Sequence, residues 1–272
     1  MKRIFLMAVL FTMITFIASA NTYDSGKTAY GVFVGLDPSS KSKLYSYREV
    51  VIDASCFSAS DINDIKNKGI KVFSYLNIGS IEDFRECFLK FEHIALGNYE
   101  NWPGEKWIDV SDLSWQDYIV NTAAKNLIDK GVDGFFIDNV DVYSFCKKDN
   151  IFYSIVSILE KLNSTYKKPV IVNGGYDFFT KAMAEKINLC GLAYGVNTES
   201  VITTIDFKSN SFLKNSVENR NNAIEYLKIL QKNGLSIYVI EYSKNKKLNL
   251  EIAKRYNELG FKYYISSSIN LD

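Results

Sequence analysis

The sequence predicts a single-domain (β/α)8 TIM barrel of the α/β class. Three observations lead there: eight short apolar runs, helical patterns alternating with them, and a length of 272 residues that suits one barrel. The first run is Tyr30–Gly35 and the second is Val50–Asp53. Ser60–Lys68 then has a helical pattern that Gly69 stops, and Val72–Asn77 is the third run. In the excursion that follows, Trp107–Val110 reads as a short accessory strand, because no helix separates it from both neighbours.

Trp115–Lys130 carries Tyr118, Ile119, Ala123, Leu127 and Ile128 at helical spacing and is stopped by Gly131. Gly134–Asp138 is the fourth run. The helical pattern Ile151–Leu162 leads to Val170–Asn173, and Phe178–Lys186 leads to Leu192–Asn197. Ser216–Lys232 and Leu250–Leu259, stopped by Gly234 and Gly260, precede the last two runs, Ile237–Glu241 and Tyr263–Ser266. Strands separated by helices at this spacing pair in parallel. A doubly wound sheet is the alternative arrangement, and eight units in one chain of this size favour closure.

Composition narrows the chemistry. With 32 Lys+Arg against 31 Asp+Glu, no basic field draws the chain to nucleic acid. The only histidine is His93, so a two-histidine metal motif is excluded, and a Ser-His-Asp triad has no spare imidazole. The 18 Tyr, 18 Phe and 3 Trp supply flat rings of the kind that face sugars, or simply fill a core.

At the N-terminus Lys2 and Arg3 precede an apolar run, Ile4 to Ile17, and then Ala18-Ser19-Ala20. This is the pattern of a secretory signal peptide, 1–20, cut near Ala20 to leave a domain over 21–272. The run is too short to stay as a membrane anchor, and a secreted monomer is expected. Losing Lys2 and Arg3 takes the formal charge from +1 to −1. Cys56, Cys87, Cys146 and Cys190 show no Cys-x-x-Cys spacing, and their pairing stays open between disulfides and free thiols.

Active sites of parallel barrels lie at the C-terminal strand ends, and here six runs close on Asp53, Asn77, Asp138, Asn173, Asn197 and Glu241. Glu199 follows Asn197, and Asp141 follows Asp138. Carboxylates converging on one mouth push their pKa values apart, as an acid and a nucleophile require. Without imidazole or a phosphate loop, the chemistry that needs only two carboxylates is glycoside hydrolysis. No metal or other cofactor is expected, because the spacing of Asp138, Asn139 and Asp141 misses a calcium loop. Candidate sugar contacts are Asp53, Tyr75, Asn77, Glu82, Arg85, Asp141, Tyr143, Asn173, Asn197 and Tyr242.

Three blocks in order, Tyr75-Leu76-Asn77-Ile78-Gly79-Ser80-Ile81-Glu82-Asp83-Phe84-Arg85, Trp102-Pro103-Gly104-Glu105-Lys106-Trp107-Ile108-Asp109 and Gly131 through Tyr143, resemble glycoside hydrolase family 114, the endo-α-1,4-polygalactosaminidases. Gly97 before the second block and Glu241-Tyr242 late in the chain add to the resemblance. It implies a (β/α)8 barrel and endo-hydrolysis of α-1,4-linked galactosamine polymers of the kind found in biofilms. The family's catalytic aspartate matches Asp138, implied to be the nucleophile of a retaining mechanism. Its glutamate matches Glu199, the implied acid/base, with Glu241 as fallback. Relatives read Asn-Glu-x-Cys where this chain reads Asn197-Thr198-Glu199-Ser200. The partner implied is a cationic polysaccharide, which an acidic cleft attracts. Two other functions stay in view: a carbohydrate-binding barrel without catalysis, and a glycosidase acting on a different glycan.

Overall fold

The computed structural model describes residues 27–100, 102–209 and 211–272, and the leader expected over 1–20 lies outside them. Eight parallel strands pair in sequence order: β1 (Thr28–Phe33), β2 (Tyr47–Ile52), β3 (Lys71–Asn77), β4 (Gly134–Asp138), β5 (Val170–Asn173), β6 (Gly195–Glu199), β7 (Ser236–Tyr242) and β8 (Lys262–Ser266). β8 returns beside β1, so the sheet is a nearly closed barrel with helices around it, as the sequence predicts. Among the described residues no helix is long and apolar enough to cross a membrane.

Strand residues of one parity point inward and those of the other point out. Tyr30, Val32, Val51, Phe73, Phe136, Ile171, Tyr238 and Ile240 fill the barrel, whereas Val50, Val72, Phe135, Val172, Val196 and Val239 pack outward against the helices. Strands buried on both faces read as unbroken apolar runs, which is why this sequence shows so little alternation. The helix Asp149–Tyr166 shows the matching pattern, burying Ile151, Ile155, Ile158, Leu159 and Leu162 along one stripe.

Three expectations need adjustment. Leu192 closes a short helix, Leu189–Leu192, and the sixth strand starts at Gly195, so Asn197 and Glu199 both belong to it. The helix expected over Trp115–Lys130 begins at Leu113 and changes to π-helical pitch over Tyr118–Ala123. The accessory strand runs Glu105–Ile108 and is the centre of a three-stranded antiparallel sheet with Ser80–Glu82 and Ala95–Asn98. That sheet sits beside the mouth because it grows directly from the end of β3. All four cysteines are free thiols.

Candidate active site

Strand register assembles the polar layer at the mouth. Asn77 pairs with Asp138 across β3 and β4, Ile137 with Val172 across β4 and β5, and Asn173 with Asn197 across β5 and β6. Asn77, Asp138, Asn173 and Asn197 therefore share one inward-facing level. Glu199, two residues beyond Asn197, keeps the same parity and projects from the next level.

The Asn173 amide joins the two carboxylates. Its Nδ2 donates to Asp138 Oδ1 and to Glu199 Oε1, each at 3.0 Å. Two such bonds to one nitrogen hold those oxygens no more than about 6 Å apart, and about 5.2 Å apart at the spread of an amide's two hydrogens. The amide orientation is itself fixed: Asn173 Oδ1 accepts from Asn197 Nδ2 at 2.7 Å, and Asn197 Oδ1 accepts from the buried Tyr30 hydroxyl at 3.3 Å. On the far side of Glu199, the Tyr242 hydroxyl donates to Oε2.

Asp138 closes β4 at the inward-facing polar level. Burial pushes its carboxyl up to about 7, and the Glu199 and Glu105 charges push the same way, against hydrogen bonds from Asn173 and the Asn139 backbone. Asn139 follows in left-handed conformation, φ 63°, which asparagine tolerates better than most residues. The turn fits because Gly79 faces it; a Cβ there would lie 1.7 Å from the Asn139 carbonyl oxygen. Ser200, after Glu199, is also left-handed at φ 59°.

A buried polar cluster backs this turn. Glu105 Oε1 accepts from Asn139 Nδ2 at 3.0 Å, from Asn77 Nδ2 at 3.2 Å and from the Ser80 hydroxyl. Burial raises the Glu105 carboxyl above its usual range. Beside it Arg85 clamps two further acids, with Nη1 2.9 Å from Asp53 Oδ2 and Nη2 3.3 Å from Glu82 Oε1. Tyr75 donates to Glu82 at 3.4 Å and lies under the Arg85 guanidinium at 5.9 Å. Asp53, Tyr75, Asn77, Glu82 and Arg85 line one cavity of about 640 Å³.

Two expected site residues lie elsewhere, and a third has a separate setting. Glu241 is fully buried on the outer face of β7, where it accepts from Ile202 N at 2.7 Å, Thr203 N at 2.8 Å and the Thr203 and Tyr256 hydroxyls. It is one residue out of phase with the inward Ile240 and Tyr242, so it does not meet Asp138. Tyr143 packs in the barrel–helix layer against Phe152, with ring centroids 5.5 Å apart. Asp141 makes no cap bond to the helix it precedes; its Oδ2 instead accepts from Gly175 N at 2.9 Å.

Sequence reasoning passed over Glu105, Ser80, Tyr30 and Tyr99. Glu105 and Tyr99 sit in the excursion, which a search of barrel-strand ends does not visit. Tyr99 stacks on Trp107 at 4.4 Å, and the carboxylates of Asp138, Glu105, Asp141 and Glu199 add to burial in raising its phenol. His93, the lone imidazole, is exposed.

The profile of glycoside-hydrolase family GH114 matches residues 36–272. Among solved structures, the fold is similar to the glycoside hydrolase domain of PelA from Pseudomonas aeruginosa: TM-score 0.76 at 18% identity, covering 90% of this chain and 96% of that one. Ega3 of Aspergillus fumigatus, solved in complex with galactosamine, gives a TM-score of 0.67 at 18% identity, with 91% and 92% covered. The α-galactosidase TtGalA from Thermus thermophilus gives 0.57 at 10% identity, with 88% and 57% covered. These identities carry the fold alone, and no curated sequence matches this one. With the profile spanning nearly all of the barrel and its polar mouth, the chain belongs to glycoside-hydrolase family GH114 and is a glycosidase.

Proposed function

We propose that this glycosidase is secreted and cleaves α-1,4-linked galactosamine polymers internally, by a retaining mechanism that uses Asp138 and Glu199. One observation carries the mechanism: the single amide of Asn173 bridging both carboxylates. The nearest-oxygen spacing it allows, no more than about 6 Å, is closer to the ~5–5.5 Å of retaining pairs than to the ~6.5–9.5 Å at which inverting enzymes seat a water. In this reading Asp138 attacks the anomeric carbon while Glu199 protonates the leaving oxygen. Glu199 then deprotonates the water that releases the glycosyl group. The substrate class is supported by the acids around the mouth, Asp53, Glu82, Glu105, Asp138 and Glu199, against two cations lining the larger cavity, Arg85 and Lys130. A polymer with free amines is cationic and gains from that field.

The raised Asp138 carboxyl favours a second reading in which the roles are exchanged, with Asp138 as acid and Glu199 as nucleophile. Reducing-end release from purified α-1,4-polygalactosamine tests the pair. Wild type is active, while Asp138→Asn and Glu199→Gln each lose roughly a thousandfold or more. Undiminished activity in either variant removes that residue from the mechanism. Trapping with a slow fluorinated galactosaminyl donor, followed by peptide mass spectrometry, identifies which carboxylate carries the sugar. A wild type that binds the polymer without cleaving it would mark a non-catalytic barrel.

A further inference from the structure

We propose that the groove between the ends of β5 and β6 and the helix Val217–Lys232 is a second sugar site, which holds an amino-sugar residue of the same polymer away from the cleaved bond. The assignment rests on the amino-polysaccharide reading above. The groove is a cavity of about 400 Å³, and it shares no lining residue with the larger cavity at β2 and β3. Thr198, the residue before Glu199, lines it from the outer side of β6. Gly174 and Gly175, directly after Asn173, form its rim in left-handed conformation. One cavity lies at the ends of β2 and β3, the other at β5 and β6, and the catalytic carboxylates stand on β4 and β6. In strand order Asp138 on β4 stands between the two cavities, so a polymer laid across the mouth would reach both.

The lining suits an amino sugar. Tyr176 is 60% exposed, with its ring braced by Tyr226 at 4.5 Å and its carbonyl accepting from the Tyr226 hydroxyl at 3.3 Å. A rigid, exposed ring of this kind is a stacking platform for the apolar face of a pyranose. The Asp141 carboxylate forms part of the wall, held by Gly175 N–H. Only glycine fits opposite it, since a Cβ at Gly174 would lie 2.2 Å from Asp141 Oδ2. Among the described residues Asp141 forms no ion pair, whereas the neighbouring Asp177 pairs with Lys147 at 2.8 Å; burial raises the Asp141 carboxyl, against hydrogen bonds from Gly175 N–H and Ser144, and a ligand ammonium would hold it ionised. Asn222 and Thr198 add an amide and a hydroxyl for sugar hydroxyl groups.

The test compares wild type, Tyr176→Ala and Asp141→Asn on purified α-1,4-polygalactosamine and on a galactosamine tetramer. Tyr176→Ala is expected to raise KM for the polymer about five- to tenfold, leave kcat within about twofold and shift the lengths of the products, and Asp141→Asn to raise KM for the polymer in the same range. A purely structural effect would lower kcat on both substrates and leave product lengths unchanged. Tyr176 lies at the surface, so Tyr176→Ala reports even where Asp141→Asn disturbs the glycine turn. Calorimetric titration of the tetramer into Asp138→Asn, with and without Tyr176→Ala, checks binding directly. Unchanged KM and products in Tyr176→Ala overturn the site while leaving the hydrolase reading intact. A wild type that neither binds nor cleaves polygalactosamine overturns that reading, and this site with it.

Discussion

Asp138 is the residue on which the site's chemistry and its energetic cost meet. Its carboxyl titrates near 7 in the folded protein, against a usual value of 3.8. The folded state therefore holds the proton more tightly than the unfolded chain, and stability falls as pH rises from about 4 to about 7. Asp138→Asn should raise Tm by at least about 2 °C at pH 8 and by less at pH 5, as followed by circular dichroism. The same titration predicts the direction of the pH–rate profile. With Asp138 as nucleophile, kcat/KM rises with pH through about 7; with Asp138 as acid it falls there. Asn197 is a positioning residue, because its amide fixes the orientation of Asn173. Asn197→Ala should lower kcat about 10- to 100-fold with little change in KM, whereas a structural effect alone would move Tm and leave the ratio of these changes unconstrained.

At the scale of elements, β7 shows how a single register step separates roles. Glu241 faces out and ties the Ile202–Thr203 segment to the helix Lys246–Leu259 through Tyr256. Burial raises its carboxyl, and four hydrogen bonds oppose that rise. Glu241→Ala leaves those donors unpaired and should cost about 3 kcal/mol in urea unfolding. Glu241→Gln should keep activity within about tenfold of wild type, in contrast to near-complete loss for Glu199→Gln. The π-helical segment Tyr118–Ala123 is the other local departure: Tyr118, Ile119 and Ala123 line the larger cavity where the pitch widens.

Across the whole molecule the formal charge is only +1, while Asp53, Glu82, Glu105, Asp138 and Glu199 gather around one mouth. KM for a cationic polymer should rise severalfold between low and high salt, with kcat changing little, because the Debye length shrinks from ~30 Å at 0.01 M to ~3 Å at 1 M. N-acetylation of the polymer should raise KM in the same direction. The alternation of strands and helices, their order, and the strand-end positions of Asp138 and Asn173 were legible in the sequence because local periodicity and glycine stops determine them. In the sequence, pairing Asp138 with Glu199 rests only on family resemblance. Which parity of each strand faces the axis was not legible, since strands buried on both faces are apolar at every position, and Glu241 was misplaced for that reason. The sequence by itself determined the eightfold alternation of strands and helices, the barrel and the acids available to it. Only the tertiary structure decided that Asn173 joins Asp138 to Glu199, that Glu105 reaches Asn77 and Asn139 from a separate sheet, and that Glu241 turns away, because these depend on register and closure between distant segments.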